Sequence, residues 1–149
     1  MEAQTFEVRA RHNLTPDQID ELEDRLYAFN TSRIGRADAA QLSFVAEHDG
    51  ELIGAAAGYT WGGVCELRQV WVHETHRRGG LGRALMRQAI EEARARGCLH
   101  VFLATHDFQA PGFYAKLGFE IVAEIDNFPI GHTDILMRLS LGRDATHAG

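Results

Sequence analysis

The run Val70-Trp-Val-His-Glu-Thr-His-Arg-Arg-Gly-Gly-Leu-Gly82 constrains this chain more than any other stretch. An apolar strand ends, a turn carries two arginines and three glycines, and a helical pattern begins at once and continues to Arg96. Backbone N–H groups at a helix start have no intrahelical acceptor. The helix dipole adds roughly half a positive charge at the same point. Glycine lets a ligand come close to the backbone, and Arg77 and Arg78 offer forked donors to phosphate-like oxygens. The stretch Arg77, Arg78, Gly79, Gly80, Leu81 and Gly82 therefore reads as an anion cradle.

The helix that follows has Leu81, Leu85, Met86, Ala89, Ile90 and Ala93 on one face and Arg83, Arg87, Glu91 and Arg94 on the other. Glu92 precedes Arg96 by four residues, the favourable order for a helical ion pair. Gly97 suits a helix end, and Leu99 to Thr105 reads as a buried strand. Strand, helix and strand in succession predict a parallel crossover onto the strand Val64–His73.

Upstream, Phe6, Val8 and Ala10 alternate with Glu7, Arg9 and Arg11, which predicts an edge strand over Thr5–Arg11. Thr15-Pro-Asp-Gln18 carries a capping box with proline at the first helical position, opening an amphipathic helix to about Asn30. Residues Arg33 to Ala40 read as a loop or short helix. Asp49-Gly50 joins Leu42–His48 to Glu51–Trp61 as a hairpin, and Gly62-Gly63 leads into the third strand of a meander. Near the C-terminus a short helix, Ala110–Leu117, stops at Gly118 and is followed by strands Phe119–Ile125 and Asp134–Leu141.

At 149 residues with no linker or repeat, the expectation is one α+β domain over 1–149, with 142–149 a frayed tail. A net charge of −6 argues against a nucleic-acid partner, although six arginines bunch between Arg77 and Arg96. Cys65 and Cys98 form no pattern and read as buried thiols. No signal-peptide core and no run long enough to span a bilayer is present, so a cytoplasmic protein without a membrane partner is expected.

The order of elements, with Arg77-Arg-Gly-Gly80-Leu-Gly82 and Ala110-Pro-Gly-Phe-Tyr-Ala-Lys-Leu-Gly-Phe-Glu120, resembles the GNAT N-acetyltransferase superfamily. The first segment matches the family signature Arg/Gln-x-x-Gly-x-Gly/Ala, and the second its Phe-Tyr-x-Lys-x-Gly-Phe element. The resemblance extends from about Phe6 to Leu141. It implies a mixed, mostly antiparallel sheet flanked by helices, whose middle strands splay to admit a pantetheine arm. It also implies acetyl-CoA as co-substrate, with its pyrophosphate on the glycine turn and its acetyl and pantetheine groups along the backbone of Val70, Trp71 and Val72. Direct transfer to a primary amine of a small molecule or peptide in a ternary complex, and a homodimer, are further expectations.

Acetylating an amine needs a base, because an alkyl amine with pKa near ~10.4 is on the order of 0.1% neutral or less at pH 7. Glu66 is a candidate, eleven residues before Arg77, where the resemblance places a base in histone-acetylating members. Its alternative is a strand glutamate paired with Arg68, whose charge would weaken it as a base. By the same resemblance Tyr114 sits beside the coenzyme sulfur as general acid, or as a hydrogen-bond donor to the thiolate. His106 and Asp107 follow the parallel strand at its carboxyl end, where His106 is a candidate proton relay. His132, in Gly131-His-Thr-Asp134, is a candidate for the acceptor side. His73 and His76 lack the further ligands a metal site needs, and no metal is expected. The rival reading is a non-catalytic acyl-CoA binder or sensor that keeps the turn alone; another phosphorylated ligand on the turn is a third.

Overall fold

The computed structural model describes residues 2–142, and the expected tail beyond Gly142 lies outside them. The chain divides after Arg36 into two compact units. In the first, residues 2–15 carry no helix or strand. The edge strand expected over Thr5–Arg11 is therefore absent, and Phe6 and Val8 are 86% and 87% exposed. Alternation chooses which side of a strand is buried only when a neighbouring edge accepts its backbone bonds, and these residues join no ladder.

Helix α1, Pro16–Ile34, starts as its sequence predicts. Thr15 Oγ1 accepts from Gln18 N at 3.2 Å, and Gln18 Oε1 accepts from Thr15 N at 3.0 Å. The helix continues past the expected end near Asn30 because its stop signal is Gly35, which adopts the left-handed conformation and donates to Thr31 O at 2.8 Å.

The second unit holds strands β1 (Ala40–His48), β2 (Glu51–Trp61), β3 (Val64–Val72), β4 (His100–His106), β5 (Glu120–Asp126) and β6 (Thr133–Ser140), with helices α2 (Leu81–Ala95) and α3 (Pro111–Lys116). They form a six-stranded sheet in the order β1-β2-β3-β4-β6-β5. All neighbours run antiparallel except β3 and β4. Asp49 and Gly50 both take positive φ, which is the geometry a two-residue hairpin turn requires.

Helix α2 lays Leu85, Met86, Ala89 and Ala93 into a core with Leu42, Ala56, Cys65, Leu67, Val101 and Leu103. Its last turn is tied to the sheet by Arg96. That guanidinium reaches Glu92 Oε1 at 3.0 Å, Gln41 O at 3.0 Å and Thr60 Oγ1 at 3.0 Å. The expected helical ion pair is thus also a bridge to β1 and β2. No helix among the described residues is long and apolar enough to cross a membrane.

The sheet opens in the middle. β3 and β4 pair only at Val64↔His100, Cys65↔Val101 and Glu66↔Phe102. The cause lies on the other side of β3, where the register against β2 shifts between Ala57↔Gln69 and Gly58↔Leu67. Arg68 is the extra residue of this bulge, and a bulge bends its strand away from the ladder. Gly58 makes the bend feasible: a Cβ there would overlap the Glu66 carbonyl oxygen and lie 2.9 Å from Leu67 Cα. Gly58→Ala is expected to lower unfolding free energy by about 2 kcal/mol, because backbone rather than a flexible side chain must move. Denaturant unfolding checks this, and an unchanged midpoint would remove Gly58 from the account.

Candidate active site

The glycine turn begins where β3 ends. His73 N bonds to Ile53 O at 2.8 Å, and a single 3-10 turn, Glu74–His76, reverses the chain. His73 Nδ1 caps that turn by accepting from Thr75 N at 3.2 Å. Arg77 folds back, with Nε donating to Val72 O at 3.1 Å, so one of the two candidate phosphate-binding guanidinium groups is anchored to the end of β3. Arg78 and Gly80 take φ of 73° and 84°. The first backbone bond of α2 runs from Ala84 N to Gly80 O at 3.0 Å. The N–H groups of Leu81, Gly82 and Arg83 therefore precede the helical ladder and remain for an anion.

Two of the glycines have different tasks. Gly80 occupies a conformation costly for any side chain, with open space where a Cβ would stand. Gly82 lies against Phe113 and Val72, where a Cβ would rest 3.4 Å from Phe113 Cζ and 3.6 Å from Val72 Cγ2. Phe113 thus packs the Phe-Tyr segment directly under the turn. This contact joins the two motifs.

Tyr114 is buried, its ring edge-on to Phe113 and Phe119 at centroid separations of 5.2 and 5.8 Å. Burial pushes its hydroxyl above the usual tyrosine range. A phenol held there is a weak proton donor to a thiolate near ~8.5 and a lasting hydrogen-bond donor. Val70 and Val72 face the core, while Trp71 is exposed and lies edge-on to His73 at 5.9 Å. From Leu67 to Val72 the β4 side of β3 borders the gap without a ladder.

Glu66 stands at the last β3–β4 pair, where the gap begins. Its Oε2 is 3.5 Å from Arg68 Nε, and its strand partner is Tyr59. Arg68 in turn lies over the Tyr59 ring at 4.8 Å. Burial first, and then the Glu66 carboxylate, push the Tyr59 hydroxyl up. The alternative expected from sequence, a glutamate paired with Arg68, is the arrangement found. A depression of about 430 Å³ beside it is lined by Gln41, Ala57, Gly58, Tyr59, Arg68 and Gln69.

His106 ends β4 on the same face as Phe102, the partner of Glu66. It lies four residues further along the strand than Phe102, roughly 13 Å along the sheet. Glu66 and His106 are therefore distinct sites. Around His106 the structure gathers residues that sequence reading had not joined to it: Asp134, Phe108 and Phe128. The missing signal was the β4–β6 register, which sets His106 opposite Asp134. His132 pairs instead with Asp107, its Nδ1 2.9 Å from Asp107 Oδ1. Both cysteines are buried thiols outside any disulfide, and burial pushes the Cys65 thiol up to about 12.

Comparison with known proteins agrees with this geometry. Residues 5–119 match the model of the acetyltransferase (GNAT) family. A blasticidin-S acetyltransferase from Streptomyces morookaense is 40% identical over 91 residues, 59% of this chain and 65% of that relative, so the match spans under two thirds of its length. An acetyltransferase from Bacillus cereus superposes with a TM-score of 0.74 at 23% identity, covering 89% of this chain and 98% of that one. An aminoglycoside 6'-N-acetyltransferase solved with coenzyme A superposes with a TM-score of 0.62 at 20% identity, covering 87% and 94%. The chain belongs to the GNAT family of acetyltransferases.

Proposed function

We propose that residues 1–149 work as one domain that moves an acetyl group from acetyl-CoA directly onto a primary amine of a small molecule, in a ternary complex. The observation that carries this reading is the continuity of the gap with the turn. β3 leaves β4 after Glu66, borders the gap through Val72, and ends in the glycine turn, with Phe113 packed beneath it and Tyr114 edge-on to Phe113. That geometry suits a long thioester arm with a pyrophosphate at one end. Backbone N–H groups of the turn and the guanidinium groups of Arg77 and Arg78 would hold the pyrophosphate. The edge of Val70–Val72 would hold the arm, and Tyr114 would donate a hydrogen bond to the departing thiolate.

Direct attack is favoured over an acetyl-cysteine intermediate because both cysteines are buried in the core, and burial pushes the Cys65 thiol up to about 12. The small-molecule acceptor is supported by the blasticidin-S relative. Initial rates of thiol release, with both substrates varied, test the order of events. Intersecting double-reciprocal lines are expected; parallel lines would mean a covalent acetyl-enzyme and contradict direct transfer.

A further inference from the structure

The end of β4 carries a histidine prepared for one task. Antiparallel pairing places His106 opposite Asp134, with Nδ1 3.4 Å from Asp134 Oδ1. Nδ1 is enclosed and makes no hydrogen bond as it stands. Catalytic hydrogen bonds are often this long in an unliganded enzyme and tighten in the substrate complex. The rings of Phe108 and Phe128 stack on the imidazole at 5.2 and 5.6 Å, tilted by only 10° and 14°.

The backbone beneath is fixed as well. His106 N donates to Gln109 Oε1 at 2.7 Å, and Gln109 N donates to His106 O at 2.9 Å. On the opposite side, Phe128 N donates to His132 O at 3.1 Å, which holds the connection carrying the second ring. With Nδ1 turned to a carboxylate, Nε2 is the nitrogen left to meet a ligand.

We propose that His106, oriented by Asp134 and stacked on Phe108 and Phe128, takes the proton from the acceptor amine. The inference rests on the amine-acetylating reading above. Glu66 is less suited, since its carboxylate is already paired with Arg68 at 3.5 Å. In the step, the ammonium proton passes to Nε2 of His106 and then to solvent, and the neutral nitrogen attacks the acetyl carbonyl carbon. As the C–N bond forms, the second proton on nitrogen leaves by the same route. The C–S bond breaks, and the thiolate leaves with the electron pair, hydrogen-bonded by Tyr114 until solvent protonates it. Asp134 is a positioning residue, because it acts through the imidazole.

The charged groups around His106 are Asp134 from β6, the Asp107–His132 pair, and Asp126 at the end of β5, which accepts from Thr133 Oγ1 at 3.4 Å. Asp134→Asn should lower kcat about tenfold with the KM for acetyl-CoA unchanged, because it frees the imidazole to turn, and Asp134→Glu should restore part of that loss. His106→Gln should lower kcat about a hundredfold with acetyl-CoA affinity unchanged, and added imidazole should restore part of the rate to His106→Ala.

Calorimetry with acetyl-CoA checks that each variant is folded. If His106→Gln turns over within twofold of the parent, or Asp134→Asn leaves kcat unchanged, this inference is overturned while the acetyltransferase reading survives. A parent chain that releases no thiol with any amine overturns both.

Discussion

Gly80→Val is expected to weaken acetyl-CoA binding roughly a hundredfold, because it removes the conformation on which the phosphate site depends. Gly80 sits at φ 84° as the N-cap of α2. A β-branched residue is a genuine outlier there, and the strain costs on the order of 1–3 kcal/mol if the loop holds. If it does not hold, the N–H groups of Leu81, Gly82 and Arg83 lose their common direction. Gly82→Ala is the control. Its added Cβ meets Phe113 Cζ at 3.4 Å, an ordinary contact, so affinity should stay within about threefold. Calorimetry on the two variants separates the tasks, and equal losses in both would contradict the assignment.

The glycine turn, the capping box and the Asp49-Gly50 hairpin were legible because each rests on local chemistry. A positive φ, a side-chain cap or a two-residue turn needs only the residues concerned. The parallel crossover was legible for a similar reason, since a helix between two apolar strands leaves few other topologies. What escaped depended on partners distant in sequence. Thr5–Arg11 alternates as a strand should, yet joins no ladder. Gly58 looks like any strand glycine until Arg68 bulges opposite it. Glu66 had two readings, and only the sheet showed it beside Tyr59 with Arg68 on top. His106 was visible as a histidine at a strand end. Asp134, 28 residues further on, became its partner only through the β4–β6 register.

Tyr114→Phe is expected to lower kcat on the order of 10²-fold while leaving acetyl-CoA affinity within twofold, the loss of one donor aimed at developing charge. The ring stays packed between Phe113 and Phe119 either way, so stability should hardly change. The pH behaviour has a definite sign. In the proposed role the neutral phenol is the donor, and burial raises its pKa. Activity that depends on it is retained through neutral pH and lost only above the ordinary tyrosine value of ~10. An alkaline limb in kcat well below that, absent from Tyr114→Phe, would show that the hydroxyl is not held as described. An unchanged kcat in Tyr114→Phe would make the residue part of the packing alone.

The account stands most directly on one measurement: acceptor-dependent release of coenzyme A thiol from acetyl-CoA, read across a panel of cationic small-molecule amines with mass analysis of the products. It predicts thiol release that rises with at least one amine, and a product heavier by one acetyl group on nitrogen. Tight binding of acetyl-CoA with no acceptor-dependent release would make the chain a binder or sensor and contradict the account.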